Sequence, residues 1–195
     1  AVIAASKSVK NSKKVKKLLE VILAFGNYMN SSKRGGVYGF RLQSLDTLLD
    51  AKSTDKKITL LHYIVRTVKE KFPELANFDK ELGFTEKAAT VSLENILVDI
   101  NELEKGMEKT KREHELRSRD RDPPTILTDF LANSEDKMKK LKTDSKTAQD
   151  EYQKVVEYYG DNAKTLAPNT FFSLFVRFAK AYKQANQELE TMQKL

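Results

Sequence analysis

The chain has 195 residues, of which 39% are apolar and 32% charged, so it can bury one core beneath a highly charged surface. It contains no cysteine, which excludes disulfides, thiolate zinc sites and cysteine nucleophiles and fits a reducing compartment. No apolar stretch approaches the roughly 18–20 residues that span a bilayer. The formal charge of +7 at pH 7 favours an acidic partner surface, whether of a protein, a membrane or a nucleic acid.

The first helical pattern runs from about Ser12 to Met29. Its apolar residues alternate in steps of three and four, which places them on one face of a helix. These residues are Val15, Leu18, Ile22, Phe25 and Met29. Residues 30–40 contain three glycines and two serines, a composition that ends the helix and predicts a loop.

Two short helices are predicted after this loop, each from a cluster of apolar residues. The clusters are Phe40, Leu42, Leu45, Leu48 and Leu49, and then Leu60, Leu61, Ile64, Val65 and Val68. We expect Thr54 or Asp55 to be the N-cap of the second helix, because both side chains can accept a hydrogen bond from the first turn. Pro73 should end that helix, since proline cannot continue the hydrogen-bond ladder.

Two long helices are predicted next, over about 90–118 and 125–166. The first begins near Ser92, and its apolar residues are Leu93, Ile96, Ile100, Leu103 and Met107. The second alternates by four and three at twelve positions, nine of them apolar or aromatic, and Gly160 is a candidate break. Apolar residues that repeat every 3.5 positions bind one helix side-on to another. We therefore predict an antiparallel pair across the hinge that ends in Pro123 and Pro124.

A last helix is predicted after Pro168 and Asn169. The same alternation continues along it at Phe171, Phe175, Phe178, Tyr182, Ala185, Leu189 and Met192. No strand-like alternation of useful length and no internal repeat is present. The sequence thus predicts an all-α, elongated helical bundle, with a long antiparallel coiled-coil section and a globular part that joins both chain ends to the short central helices.

The sequence gives little support to an enzyme, a metal site or a cofactor site. A metal or general-base site usually needs clustered histidines, and His62 and His114 stand alone. We expect His62 to be a satisfied, half-buried group and His114 to be solvated. The glycines at 35, 36 and 39 lack the spacing and the Lys-Ser/Thr end of a phosphate loop. Carboxylates are scattered beside lysines on helix surfaces.

Two rival functions follow from the residues themselves. A generic coiled-coil scaffold would explain the heptads, although it leaves the glycine-rich loop unexplained. A basic helical nucleic-acid binder is suggested by dense lysines at 13–17 and 137–142, but no helix-turn-helix, zinc finger or aromatic stacking platform accompanies them. A solvated, charged helix face is the simpler interpretation of both runs. We therefore expect no nucleic acid among the partners and no direct membrane insertion.

Several spaced blocks, in order, carry a family resemblance. The first block, at 18–30, is Leu-Leu-Glu-Val-Ile-Leu-Ala-Phe-Gly-Asn-Tyr-Met-Asn. The second, at 33–40, is Lys-Arg-Gly-Gly-Val-Tyr-Gly-Phe, and the next matches are Leu42, Leu45, 50–55 and 59–63. This succession resembles the signature of formin homology-2 domains. The sequence of residues 31–40 is most similar to the formin-like (leukocyte formin) subgroup. The same holds for Glu-Lys-Ala-Ala at 86–89 and Val-Ser-Leu-Glu-Asn at 91–95.

The resemblance implies an actin-binding function without catalysis. The intact dimeric domain of this family nucleates unbranched actin filaments and elongates them processively at the barbed end. An arm called the lasso wraps the post of the partner subunit and closes a ring. Profilin-actin and Rho-family GTPases act through other regions, and the proteins work in the cytoplasm at the actin cytoskeleton and cell cortex.

The resemblance also predicts how the chain is divided. Residues 1–11 match the end of the knob, 12–85 the post, 86–166 the coiled-coil section and 167–195 the C-terminal post helix. Because the chain begins in mid-pattern, we expect that it lacks the lasso and most of the knob. We therefore expect a monomer or weak associate that nucleates little by itself.

The resemblance finally assigns roles to individual residues. The post motif that receives the lasso corresponds to Gly26, Asn27, Tyr28, Asn30, Arg34, Gly35, Gly39 and Phe40. Glycines let a foreign backbone approach, and the two Asn side chains can pair its amides; alternatively, both Asn residues cap their own helix end. Lys87 matches an actin contact near the start of the long helix, and Lys52 and Lys56 would extend the same basic edge.

Overall fold

The computed structural model describes residues 1–31, 35–51 and 58–194. Within these ranges the chain is helical and contains no strand, which confirms the all-α prediction. Among the described residues, no helix is both long enough and apolar enough to cross a membrane.

Eight α-helices and two short 3₁₀ turns make up the described part of the chain. The helices are α1 Val2–Asn11, α2 Lys13–Asn30, α3 Ser44–Asp50, α4 Leu60–Lys71, α5 Thr85–Ala89, α6 Leu93–Arg117, α7 Thr125–Tyr158 and α8 Pro168–Gln193. The 3₁₀ turns are Pro73–Leu75 and Phe78–Glu81. Ser12 and Ser92 accept hydrogen bonds from the first turns of α2 and α6, so these serines set where both helices begin.

Helix α4 begins later than the sequence predicted. Thr59 is its N-cap, whereas Thr54 and Asp55 lie outside the described residues. The Thr59 hydroxyl accepts from the His62 backbone N–H, and the Thr59 N–H donates to His62 Nδ1 at 3.1 Å. This reciprocal pair is a capping box with histidine in the place usually held by Glu or Gln. Pro73 follows the end of α4 at Lys71, as predicted.

Helix α7 ends at Tyr158, so the prediction that it continues to about Leu166 is wrong. Gly160 has a φ of +77°, a left-handed conformation that favours glycine. The Asp161 N–H donates to the Val156 carbonyl at 3.0 Å, and the Gly160 N–H donates to the Glu157 carbonyl at 2.9 Å. These two bonds form a Schellman motif, which satisfies the last carbonyls of the helix and stops it.

The structure divides into two compact units, and the first comprises Ala1–Val91 with Glu151–Leu195. Its core is rich in aromatic rings, since α8 contributes four buried phenylalanines and Tyr182. Phe171 stacks edge-on against Tyr152 and Phe175, with ring centroids 5.9 and 5.3 Å apart. Helix α8 packs against α3, α4 and α5, so it is the central helix of this unit.

The second unit, Ser92–Asp150, contains α6 and most of α7. Lys111 pairs with Glu135 at 2.8 Å, and Lys142 pairs with Glu104. As residue numbers rise along α6, those of their partners fall along α7, so the two helices are antiparallel, as the apolar repeats predicted. His114 is half-buried, not fully solvated as expected, and its Nε2 lies 3.0 Å from the Thr128 hydroxyl near the connection between these helices.

Candidate docking groove

An open groove of about 430 Å³ lies beside the C-terminal half of α2. One wall comes from α2, one from residues 35–40, and the opposite wall from α3 and the first turns of α4. Its lining residues are mostly apolar: Ile22, Leu23, Gly26, Asn27, Asn30, Gly35, Val37, Phe40, Ser44, Leu45, Thr47, Leu48, Ala51, Leu60 and Ile64. A concave apolar surface with a few polar groups is typical of a binding site.

The segment that follows Gly35 is held against α2 by one side chain. Asn27 Nδ2 donates to the Val37 carbonyl, and the Val37 N–H donates to Asn27 Oδ1, both at 2.9 Å. The amide of Asn27 thus pairs with both polar groups of one residue's backbone, as a neighbouring strand would. Gly35 has a φ of +67°, which lets the chain turn back toward the helix. These contacts fix one rim of the groove.

The last turns of α2 combine an open surface with a self-satisfied amide. Gly26 lines the groove, and a Cβ built on it would meet no atom within 4 Å, so its backbone faces free space. Asn30 Nδ2 donates to the Gly26 carbonyl at 3.0 Å, which satisfies a carbonyl near the end of the helix. A chain that approaches Gly26 can therefore contact the exposed backbone of the helix, but the Gly26 carbonyl already accepts a hydrogen bond.

Large apolar side chains near the groove are exposed to solvent. Tyr28 is 83% exposed, and Met29 is 58% exposed although it continues the apolar face of α2. Tyr38 is fully exposed, and Val37 is half exposed. Exposed apolar side chains of this size are typical of interaction sites when they are contiguous.

A second, smaller hollow of about 250 Å³ lies next to the groove. Phe40 and Leu23 line both hollows, so Phe40 separates them. The smaller hollow also contains Gly39 and Tyr158, and the Lys16 ammonium lies 4.6 Å from the centroid of the Tyr158 ring. This contact is a cation–π interaction that leaves the ring half exposed. The two hollows together can hold two bulky side chains of one partner segment.

The short helices that form the far wall are tied to α8 by polar contacts. Arg177 of α8 donates through Nη2 to both Asp46 oxygens, at 2.9 and 3.1 Å, which fixes α3. His62 of α4 is 6% exposed, and its Nε2 donates to Glu188 Oε2 at 2.6 Å. Hydrogen bonds from Gln184 and His62 hold the pKa of the Glu188 carboxyl below its usual range. His62 is therefore a satisfied structural group.

The formin homology 2 domain family matches residues 1–183 of this chain. This chain belongs to the formin homology-2 domain family. It is 58% identical over 194 residues to Formin-like protein 2 of Homo sapiens and 57% identical over 194 residues to Formin-like protein 3 of Homo sapiens. It is 34% identical over 201 residues to Disheveled-associated activator of morphogenesis 2 of Gallus gallus.

These alignments cover all of the chain but only 18%, 18% and 19% of the three relatives, respectively. The chain therefore spans less than a fifth of the length of the curated relatives that it matches. The identities to the formin-like proteins confirm the resemblance to that subgroup of formin homology-2 domains.

The formin signature residues gather at the groove, except where the structure does not describe them. The groove is lined by Gly26, Asn27, Asn30, Gly35 and Phe40. Gly39 lines the smaller hollow, and Tyr28 is exposed on the last turn of α2. Arg34 lies outside the described residues. Both Asn amides bond within the chain: Asn27 holds the rim of the groove at Val37, and Asn30 bonds to a carbonyl of its own helix. That the same amides pair a lasso backbone stays a prediction.

Lys87, one of the three basic residues assigned to actin contact, is not among the residues that line this groove. Lys87 lies on α5, which Thr90–Ser92 separate from α6, so it precedes the long helix on a short helix of its own. Its ammonium lies 5.8 Å from the centroid of the Phe84 ring. Lys52 and Lys56 lie outside the described residues.

Sequence reasoning missed the far wall of the groove and the neighbours of Lys87. The sequence predicted α3 and α4, but nothing in it shows that Leu48 and Ile64 face the same hollow as Asn27. The pair formed by Asp46 and Arg177 joins residues 131 positions apart, and neither residue type is distinctive at its position. The one available signal near Phe84 is the preceding Gly83, because glycine between helical segments is typical of a turn or loop.

Proposed function

We propose that this chain is the receiving and actin-contacting part of a dimeric actin-assembly domain. The family to which it belongs assembles actin filaments without catalysing a reaction. In this proposal the groove at residues 26–40 receives the lasso of a second subunit, and Lys87 contacts an actin subunit. The single observation that carries the proposal is that the family signature lines an open apolar groove instead of a sealed core.

The properties of the groove support a peptide as its occupant. The walls are apolar and the floor at Gly26 is bare backbone, so an extended arm can lie close to α2 and insert large side chains on either side of Phe40. Preformed pockets bind such arms with less loss of entropy than mobile ones, because the receiving side is already ordered. The contacts to α8 keep the walls in place before the arm arrives.

Binding energy alone can assist assembly in this scheme. A ring of two subunits holds actin subunits in filament-like geometry, which removes part of the entropic cost of forming a nucleus. The whole protein would then nucleate unbranched filaments and remain at the growing barbed end. Profilin-actin and a Rho-family GTPase would act through other regions. The protein would work in the cytoplasm, at the actin cytoskeleton and cell cortex.

The proposal is tested by titrating the chain with a synthetic lasso segment from Formin-like protein 2 in a calorimeter. We expect saturable binding that Gly26→Leu abolishes, because the leucine side chain would fill the floor of the groove. Gly106 of α6 provides the matched control, since a Cβ there also meets open space and lies outside the groove. Equal binding by the Gly26→Leu and Gly106→Leu variants contradicts the proposal.

A second test measures actin nucleation by the 195-residue polypeptide alone. We expect it to leave the lag of pyrene-actin assembly almost unchanged, because the ring requires both an arm and a receiving groove. Robust nucleation by this polypeptide would show that the ring is not required.

A further inference from the structure

The turn before α5 has an unusual backbone. Phe84 has a φ of +64° and a ψ of 4°, and it is the one non-glycine residue among those described whose φ is positive. A bulky side chain in this left-handed region is strained, because its Cβ crowds the neighbouring carbonyl. Phe84 is nevertheless 56% exposed. Strain of this kind, on an aromatic ring that faces solvent, points to a function for the ring.

The rest of the turn is anchored on both sides of Phe84. Leu82 and Thr85 are buried, and the Thr85 hydroxyl donates to the Leu82 carbonyl at 2.9 Å. The Ala88 N–H donates to the Phe84 carbonyl at 2.9 Å, which starts α5. A Cβ at Gly83 would lie 3.4 Å from Ser8 Oγ, so α1 approaches the turn closely. These contacts therefore keep the backbone of Phe84 in the left-handed conformation, with its ring exposed to solvent.

The ring borders a hollow in the first unit. The hollow measures about 530 Å³ and lies between the 79–87 segment and α8. Lys87, Lys180 and Lys183 line it with Asp79 and Glu86, and none of these five forms an ion pair within the described part of the chain. The hollow thus presents three ammonium groups and two carboxylates beside one aromatic ring, so its charges balance to one net positive charge.

The surface continues along α8. A neighbouring hollow of about 410 Å³ shares Asp79, Ala179 and Lys183 with the first, and Lys80 adds a further ammonium group to its wall. The two hollows form a trough that is open to solvent, carries five lysines against the carboxylates of Asp79, Glu86 and Glu190, and has an aromatic ring at one end. Such a surface suits a protein partner better than a small molecule. Lysines that are dispersed along it complement scattered carboxylates on the partner.

We propose that Phe84, Lys180 and Lys183 form, with Lys87, one contact surface for the actin subunit. This inference rests on the proposed function, which assigns Lys87 alone. The Phe84 ring inserts into an apolar recess of the acidic partner, and the lysines of α8 pair with carboxylates around that recess. The contact therefore spans two elements, α5 and α8, that are far apart in the sequence.

The test uses the chain itself and actin monomers held unpolymerised by latrunculin. Phe84→Asn lowers the affinity about tenfold, because asparagine tolerates the left-handed backbone but removes the ring. Phe84→Tyr retains the affinity, since it keeps the apolar ring. The melting temperature of Phe84→Asn stays equal to that of the parent chain or rises. Unchanged affinity for Phe84→Asn overturns the inference.

Charge reversal on α8 is compared with a matched control. Lys180→Glu with Lys183→Glu weakens binding at least tenfold and flattens its dependence on salt, since screened attraction between charges is what these residues contribute. Lys71→Glu with Lys164→Glu makes the same change of charge at exposed lysines outside the trough and has little effect. Equal losses from both double variants would mean that net charge alone drives binding and would overturn the inference.

A photo-crosslinking amino acid at position 84 provides a measurement that does not depend on stability. Crosslinking to actin supports the contact, and its absence in a chain that binds actin contradicts it. Lys87→Asp separates this inference from the proposed function. If Lys87→Asp weakens binding while the Phe84 and α8 variants do not, only the inference fails. If the unaltered chain does not bind actin, both fail, and lasso titration still tests the groove.

Discussion

Asn27 and Val37 are joined by two hydrogen bonds of 2.9 Å, although ten residues separate them. The side-chain amide of Asn27 satisfies both backbone groups of Val37, so the chain at Val37 lies against the helix. One rim of the docking groove is therefore set by a single side chain.

Replacing Asn27 by alanine should free this rim. We expect Asn27→Ala to lower the free energy of unfolding by about 1–2 kcal/mol, since two exposed hydrogen bonds are lost, and to weaken lasso binding. Amide hydrogen exchange at Val37 should become faster in the variant. Asn30→Ala removes one bond within α2 and serves as the comparison. If Val37 exchanges at the same rate in both variants, the pair with Asn27 does not hold the loop.

Gly26 should show opposite effects on stability and on docking. Alanine is more favourable than glycine inside a helix by about 1 kcal/mol, and open space above Gly26 accepts the methyl group. We therefore expect Gly26→Ala to raise the unfolding free energy by up to about 1 kcal/mol while it weakens lasso binding. Gly106→Ala should give the same gain without altering binding. A Gly26→Ala chain that binds the lasso as tightly as its parent would argue against contact at this position.

Gly160 should respond to the same substitution with a loss. Its φ of +77° is strained for alanine, which costs about 1–2 kcal/mol in the left-handed region. We expect urea unfolding to show Gly160→Ala less stable than the parent chain by this amount, in contrast to Gly106→Ala. A stability equal to that of the parent would indicate that α7 can continue past Tyr158.

Alkaline pH should destabilise the first unit through its buried tyrosines. Burial raises the pKa of Tyr182 to about 12, and burial also raises the pKa values of Tyr152 and Tyr159. An unfolded tyrosine ionises near pH 10. The stabilisation is therefore complete below pH 10 and is lost as the pH rises from about 10 toward 12, by about 2–3 kcal/mol for Tyr182.

Urea unfolding at several pH values between 9 and 12, followed by circular dichroism, measures this loss. Tyr182→Phe should be less sensitive to pH than the parent chain, because phenylalanine keeps the contact with Phe78 and cannot ionise. The same slope in both chains would show that Tyr182 is not the group responsible.

The sequence predicted α2, α6 and α8 well because their signals are local, whereas it did not predict α5 as a separate helix. Ser12 and Ser92 precede apolar periodicity, and the alternation along α8 matches its buried face. The N-cap of α4 was predicted wrongly because His62 takes the place of the Glu or Gln that usually marks a capping box. The end of α7 was predicted wrongly because Tyr159 and Leu166 keep the apolar alternation although the helix ends at Tyr158.

The candidate site was predictable only in part, for a physical reason. The signature places Gly26, Asn27 and Phe40 near one another because they are close in sequence. The opposite wall depends on packing of α3 and α4 against α8, through contacts such as that of Asp46 with Arg177. Periodicity shows which face of a helix is apolar, but it does not show which two faces meet.

Methyl NMR of the chain during titration with the lasso segment can locate the docking site. We expect saturable shifts at Ile22, Leu45, Leu48, Leu60 and Ile64, which line the groove, and none at Val98 or Leu103 on α6. Binding that shifts only the α6 methyl groups, or no binding at millimolar peptide, would contradict a receiving groove at residues 26–40.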